Sequence, residues 1–291
     1  EPLVESPIAI DWDARGRLWV CEMFDYPTGV DEKWSAGGRV KILEDRDGDG
    51  RFDTATTFLD KLPFPTGVMA WRNGALICVA PDILFAADTN GDGRADKVEK
   101  LFTGFVTDNY QARVNGLALG LDNWIYGANG LLGGKIAGGA ISGELDLGKQ
   151  DFRMRPDTGA FEKVSGLSQH GRVRDDWGRW FGCDNSRLLF HFPLPDRYVR
   201  RNPAAAGAAP SVDVPRYPEN NRIFPISAPL ERFNHPESAG RVTSACGVAI
   251  NRDSLIGEGF AGNAFTCEPV HNLVHREVLV SDGVTFSGSR A

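Results

Sequence analysis

The chain has 291 residues, 42% of them hydrophobic and 24% charged, which is enough to bury a sizeable core as one large β domain or two smaller units. A formal charge of -7 argues against a phosphate-backbone binder, because that task needs a surplus of Lys and Arg on one face; nucleic acid is not an expected partner. The most apolar stretch, 114–141, is interrupted by Asp122, Asn123 and Lys135, so no transmembrane segment is expected.

The sequence starts at Glu1 with neither an initiator Met nor a signal peptide, and reads as a mature or trimmed product. Its first recognisable unit begins at Pro7, "PIAIDWDARGRLWVCEM": a short apolar strand, a polar turn, and a second strand rich in Trp and Leu. "GRVKILED" and "TATTFLDKL" follow as expected third and fourth strands. The same plan returns as "PTGVMAWRNGALICVAP" from Pro65, with "DILFAAD" and "KVEKLFTGF" as its outer strands. It returns again near Val114, His170 and Cys246. Repeats of roughly 40 to 60 residues with an internal hairpin are the mark of propeller blades. The expectation is an all-β single-domain β-propeller, with five blades visible and six in the complete ring.

A Pro- and Ala-rich stretch, 195–233, is too long for an ordinary turn and is expected to be a surface excursion inside or after the fourth blade.

Two nonapeptides, "DRDGDGRFD" from Asp45 and "DTNGDGRAD" from Asp88, fall between the third and fourth strands of successive blades. Asp45, Asp47, Asp49 and Asp53 occupy positions 1, 3, 5 and 9 of a calcium loop, with Gly50 at the sharp turn and Arg51 at the carbonyl-donating position 7. Asp88, Asn90, Asp92 and Asp96 repeat the pattern with Gly93 and Arg94, and Glu99 falls at position 12. Carboxylates crowded this closely repel unless a hard cation sits among them, so two structural Ca2+ sites are expected. A solvated polar turn is the plain alternative.

In a propeller, the start of each first strand and the end of each second strand open onto one face. Those addresses hold Thr66, Arg113, Asn115, His170, Arg172 and 244–246, and then Glu22, Asp25, Asn129, Asp184, Asn185, Glu268 and His271. A few convergent polar groups of this kind are typical of a small-ligand site. His170, near carboxylates, can serve as a general base; the plain reading is a histidine bonded to a neighbouring backbone. His271 and His275 have metal-pair spacing only if the segment is helical, and it follows a strand.

Five cysteines occur, none in a CxxC or CxxCH arrangement. Cys21, Cys78, Cys183 and Cys267 fall late in second strands, where a small buried apolar residue is expected. Cys246 starts the strand beside the one that Cys267 ends, within conceivable disulfide reach.

The runs "ESPIAIDWDARGRLWVCEMFDYP", "GRVKILEDRDGDGRFD", "VNGLALGLDNWIYGANG", "SQHGRVRDDWGRWFGCDNS" and "CEPVHNLVHREVL" resemble the N-terminal propeller of the large secreted "membrane-bound dehydrogenase" proteins of planctomycetes, which often end in a CxxCH haem domain. More distantly the architecture is similar to the soluble glucose and sorbosone dehydrogenases, propellers that use pyrroloquinoline quinone (PQQ). There a His followed by Gly and Arg opens a blade and takes the substrate proton, as His170, Gly171 and Arg172 do in "QHGRV".

The resemblance implies a periplasmic or extracellular, quinone-dependent dehydrogenase acting on a sugar or other alcohol, with His170 as the base; His170, Arg172 and Asp184 are the catalytic candidates at the funnel addresses. Arg113, Asn115, Asn129 and Glu268 would hold the cofactor, and a c-type haem domain or cytochrome would accept electrons. The full set of quinone-contacting Lys and Arg is not found here. Two alternatives stand beside it: a carbohydrate lyase or hydrolase without a redox cofactor, and a non-catalytic calcium-stiffened scaffold for glycans or protein partners.

Overall fold

The computed structural model describes residues 3–199, 201–202, 209–226 and 239–291. The parts of the 195–233 excursion at 200, 203–208 and 227–233 lie outside the described residues. Among the described residues no helix is long and apolar enough to cross a membrane.

The chain divides into two compact units. Unit 1 comprises Glu1–Ala118, Asn129–Lys149 and Met154–Glu162; unit 2 comprises Leu119–Ala128, Gln150–Arg153 and Lys163–Ala291.

The first sheet runs β1 (Pro7–Trp12), β2 (Leu18–Glu22), β3 (Gly38–Glu44), β4 (Thr54–Leu62), in chain order and antiparallel. The second is built on β5 (Gly67–Trp71), β6 (Gly74–Val79), β7 (Asp82–Ala87) and β8 (Lys97–Phe105). The expected outer strands therefore fall where the sequence puts them, with an acidic nonapeptide at each third-to-fourth-strand turn. β9 (Asn115–Leu119), β10 (Ile125–Ala128), β13 (Asp151–Arg155) and β14 (Ala160–Val164) form a sheet in the order β14-β13-β10-β9. The intervening β11 (Gly134–Gly138) and β12 (Leu145–Asp146) instead extend the second sheet to β12-β11-β8-β7-β6-β5.

In unit 2, β15 (Arg172–Arg174), β16 (Trp180–Asp184), β17 (Arg187–Phe192) and β18 (Val212–Asp213) form one sheet. The fourth strand, β18, falls inside the stretch 195–233 expected to be a surface excursion, so part of that stretch is sheet. The last sheet is β19 (Cys246–Ile250), β20 (Ala264–Glu268), β21 (Leu273–Asp282) and β22 (Thr285–Arg290).

The strands are held by their buried faces. In unit 1, Trp19, Val40, Ile42, Phe58, Val68 and Ile77 pack together, with Trp19 edge-on to Phe58 at 4.7 Å. In unit 2, Phe181, Leu189, Val248, Ala264 and Phe286 do the same. Each large side chain so buried contributes roughly 1.5–3 kcal/mol. Cys21 and Cys183 belong to these cores and Cys78 is fully buried; burial pushes the Cys78 and Cys183 thiols up to about 12. Cys267 departs from the expectation of a buried strand end: its side chain is exposed, because it lies on the outward face of β20.

Candidate active site and acidic loops

In unit 2, residues 168–171 lead into β15, and the end of β16 runs alongside them. This brings His170 Nε2 to 3.2 Å from Asn185 Oδ1. Asn185 is itself fixed: its backbone N–H donates to Gln169 Oε1 at 3.1 Å, and its carbonyl accepts the Ala245 N–H at 3.3 Å. An Nε2–H tautomer donates to this oxygen, and Nδ1 has no hydrogen-bond partner among the described residues. Burial lowers the His170 pKa, against the opposing pull of the Asn185 hydrogen bond and the Asp184 charge, so the imidazole is neutral at pH 7.

Arg172 does not face a ligand. It is 3% exposed, its Nη1 reaches Asp151 Oδ2 at 3.2 Å and the Ser165 carbonyl at 3.0 Å, and its guanidinium lies 3.8 Å from the centre of Phe192. Asp151 also accepts from Ser168 N at 3.1 Å and Ser168 Oγ at 2.6 Å. Asp184 is occupied as well: Oδ1 accepts Ser186 N and Arg187 N, both at 3.0 Å, and Oδ2 accepts Arg187 Nε at 2.7 Å. It closes the β16–β17 turn.

Glu268 is fully buried. Its Oε1 accepts Thr243 N at 3.0 Å, Ser244 N at 2.8 Å and Ser244 Oγ at 2.8 Å, and its Oε2 accepts His271 N at 2.9 Å and Nδ1 at 2.8 Å. Burial alone would raise this carboxyl, but the hydrogen bonds outweigh it and hold it below the usual range. His271 Nε2 accepts Gly240 N at 3.1 Å, while His275 turns to Glu277 at 2.7 Å. The two rings therefore go to different carboxylates, as expected for a segment that is not an α-helix. Cys246 and Cys267 are direct cross-strand partners on β19 and β20, with both thiols free.

In unit 1, Glu22 is buried between Arg39 and Lys41. Thr66 Oγ1 donates to the Val114 carbonyl. Arg113 is buried, donates to the Thr107 carbonyl through Nη2 at 2.6 Å, and stacks 4.2 Å from the centre of Tyr110. Asn115 Nδ2 donates to the Arg113 carbonyl at 2.8 Å. Asn129 bridges Gly148 O at 2.9 Å and Gly133 N at 2.6 Å. A tricarboxylate quinone calls for uncommitted cations and donors. Arg113 and Asn129 already serve the fold, and Glu268 is an anion, so these residues do not fit that cofactor.

The two acidic loops share one hydrogen-bond pattern. Asp45 accepts Gly48 N at 2.8 Å and Gly50 N at 2.9 Å; Asp88 accepts Gly91 N at 2.6 Å and Gly93 N at 2.8 Å. Asp49 and Asp92 each accept the N–H of the Arg two residues on, at 2.8 Å. Asp53 and Asp96 close the loops on Arg46 N and Thr89 N. Gly50 and Gly93 take φ of +86° and +84°, where a Cβ is strained.

Oxygens of Asp45, Asp47 and Asp49 lie within 4.8 Å of one another. Two oxygens each about 2.4 Å from one ion are at most about 4.8 Å apart, so the group fits a calcium-sized cation. Glu99 is the exception: it sits on β8 opposite Phe85, two residues beyond the start of the strand, and pairs with Lys97 at 3.5 Å. An extended strand carries position 12 away from the loop, whereas a helix would turn it back.

These antiparallel sheets define an all-β, propeller-like protein. The chain belongs to the family described as a domain of unknown function, DUF7133, whose model matches residues 1–291. No curated protein matches it. Among solved structures, it is similar to an auxiliary nutrient binding protein from Bacteroides ovatus (TM-score 0.52, 9% identity, covering 97% of this chain and 57% of that one). It is also similar to a luciferin-regenerating enzyme (0.51, 8%, 98% and 76%) and to virginiamycin B lyase from Staphylococcus aureus (0.46, 9%, 98% and 70%). At these identities the first two likenesses support a β-propeller fold and nothing finer.

Sequence reasoning reached His170 but not what orients it. Asn185 was visible as a strand-end residue, and the "DNS" turn was the only signal of its role. Nor did it single out Trp34, an exposed indole in the loop after β2.

Proposed function

We propose that the chain is the propeller of an exported protein that acts on a hydroxyl of a sugar or other alcohol, with His170 as the proton acceptor. The observation that carries this is the geometry of the His170 ring, held at Nε2 3.2 Å from Asn185 Oδ1 and without a partner at Nδ1 among the described residues, with burial lowering its pKa. A complete ring would have six blades, the sixth coming from outside the five sheets described. Calcium in the two acidic loops would be structural, held by Asp45, Asp47 and Asp49 and by Asp88, Asn90 and Asp92, with Arg51 and Arg94 offering carbonyls.

Two chemistries are compatible with a base at His170. In the dehydrogenase form implied by the resemblance, PQQ would supply the hydride acceptor and a c-type haem domain or cytochrome would take the electrons. The commitment of Arg113, Arg172 and Asn129 within the fold favours the second, a redox-independent carbohydrate lyase or hydrolase. Calorimetric titration of calcium-loaded protein with PQQ separates them. Saturable one-to-one binding would carry the dehydrogenase; absence of binding, together with sugar turnover lost in His170→Asn and independent of an electron acceptor, would carry the redox-free enzyme.

A further inference from the structure

Unit 1 contains an aromatic arrangement that the reading above does not use. The loop from β2 to β3 holds Trp34 in a strained backbone, with φ of +69° at Trp34 and +57° at Glu32. Such conformations are strained for a non-Gly residue and persist only where the surroundings enforce them.

The enforcement is visible. Asp31 accepts Lys33 N at 3.0 Å, Ser35 N at 3.3 Å and Ser35 Oγ at 2.8 Å. Trp34 N donates to the Thr28 carbonyl at 2.8 Å, and Val30 N to the Ser35 carbonyl at 3.2 Å. At Gly29 a Cβ would meet the Trp34 backbone at 2.5 Å, so the loop closes only on glycine. Both ends are tied by buried Asp25, whose Oδ2 accepts Phe64 N at 2.7 Å and Gly37 N at 3.3 Å. Its Oδ1 is buried with no hydrogen-bond partner.

The indole so held is stacked on Tyr110, centroids 5.7 Å apart and planes 17° off parallel. Tyr110 is backed in turn by Phe64 at 4.4 Å and by the Arg113 guanidinium at 4.2 Å. Tyr26 stands edge-on to Tyr110 and accepts Gln111 Nε2 at its hydroxyl, 3.0 Å. Trp34 remains 56% exposed and Tyr26 47% exposed.

We propose that Trp34 and Tyr26 form a binding platform for a pyranose ring of a neutral glycan. An outward indole face backed by a rigid stack matches the apolar C–H face of a pyranose, and aromatic faces of this kind bury area at little entropy cost. Equatorial hydroxyls need polar partners in the plane of the ring. Gln111 and the Tyr26 hydroxyl supply them, with exposed Asp31 and Glu32 beside the indole. The same carboxylates, with exposed Asp108, oppose a uronate or sulfated chain, and Lys33 alone does not offset them. The platform does not depend on His170 or on the calcium loops.

The test is calorimetry and tryptophan fluorescence on the intact chain titrated with neutral hexasaccharides of glucose, xylose, mannose and N-acetylglucosamine, and with a uronate hexasaccharide. At least one neutral hexasaccharide is expected to bind and shift the fluorescence. Trp34→Ala should weaken it about tenfold or more while keeping the wild-type circular dichroism, and Trp34→Phe should recover part of the loss. Trp177→Ala, removing an indole 75% exposed in unit 2, should leave binding unchanged. Absence of binding to every neutral hexasaccharide, preference for the uronate, or wild-type affinity in a folded Trp34→Ala variant would each overturn the proposal.

Discussion

Arg172 and Asp151 are separated by 21 residues in sequence and meet in the interior of unit 2. A buried pair of this kind contributes little net stability, yet losing one partner strands a charge away from water and costs roughly 3–5 kcal/mol. Arg172→Ala is therefore expected to melt roughly 10 °C below wild type, as followed by circular dichroism. A variant that melted like wild type but lost turnover would return Arg172 to a ligand-facing role. From the sequence, "QHGRV" made His170 and Arg172 look like neighbours in function. Nothing in that pentapeptide shows that the arginine has a carboxylate waiting for it on β13. Trp34 was equally hard to read: an indole in a polar loop is ordinarily unremarked, and its significance comes from the φ values and the Tyr110 stack, which no pattern encodes.

At the scale of strands and turns the sequence was far more legible. Apolar runs and turn residues located β1 to β8 closely, since inner strands such as β6 are buried throughout and the acidic loops bound the outer ones. β11 and β12 were not legible, because joining the edge of the second sheet depends on which edge is open and not on local propensity. The place of the acidic loops at the third-to-fourth-strand turns was legible, but Glu99 was not, because an EF-hand position was carried onto a strand that has no helix to return it. The loops also reach beyond their own turns: Ala95 N, within the second loop, donates to the Phe58 carbonyl of β4 at 2.8 Å. Calcium should therefore stabilise unit 1 as a whole. Thermal melts are expected to rise with Ca2+ and fall with chelator, by about 2.7 kcal/mol per site at one hundred times Kd. Gly93→Ala, at φ +84°, should cost about 1–2 kcal/mol with or without the ion. Melting unaffected by Ca2+ would remove the metal from the account.

For the molecule as a whole, an acidic chain built from four- and six-stranded sheets has its chemistry concentrated in few places, because most polar groups at the expected converging addresses are engaged within the fold among the described residues. Among the described residues Glu268 and Asp184 have both carboxylate oxygens engaged, and Arg113 and Asn129 are bonded within the fold, while His170 keeps an Nδ1 with no hydrogen-bond partner. Its state decides the function proposed here. Because burial lowers its folded pKa below 6.5, the neutral form predominates at pH 7, and stability tied to it is present above that range and lost as pH falls through the folded value. Turnover dependent on the base should show an acid limb below pH 6.5 for the same reason. The most direct measurement is a pH titration of the ring nitrogens by long-range 1H–15N NMR, with His170→Asn used to assign the signals. The account predicts a neutral Nε2–H tautomer at pH 7 that titrates below 6.5. A ring protonated at pH 7, or one carrying its proton on Nδ1, would contradict it.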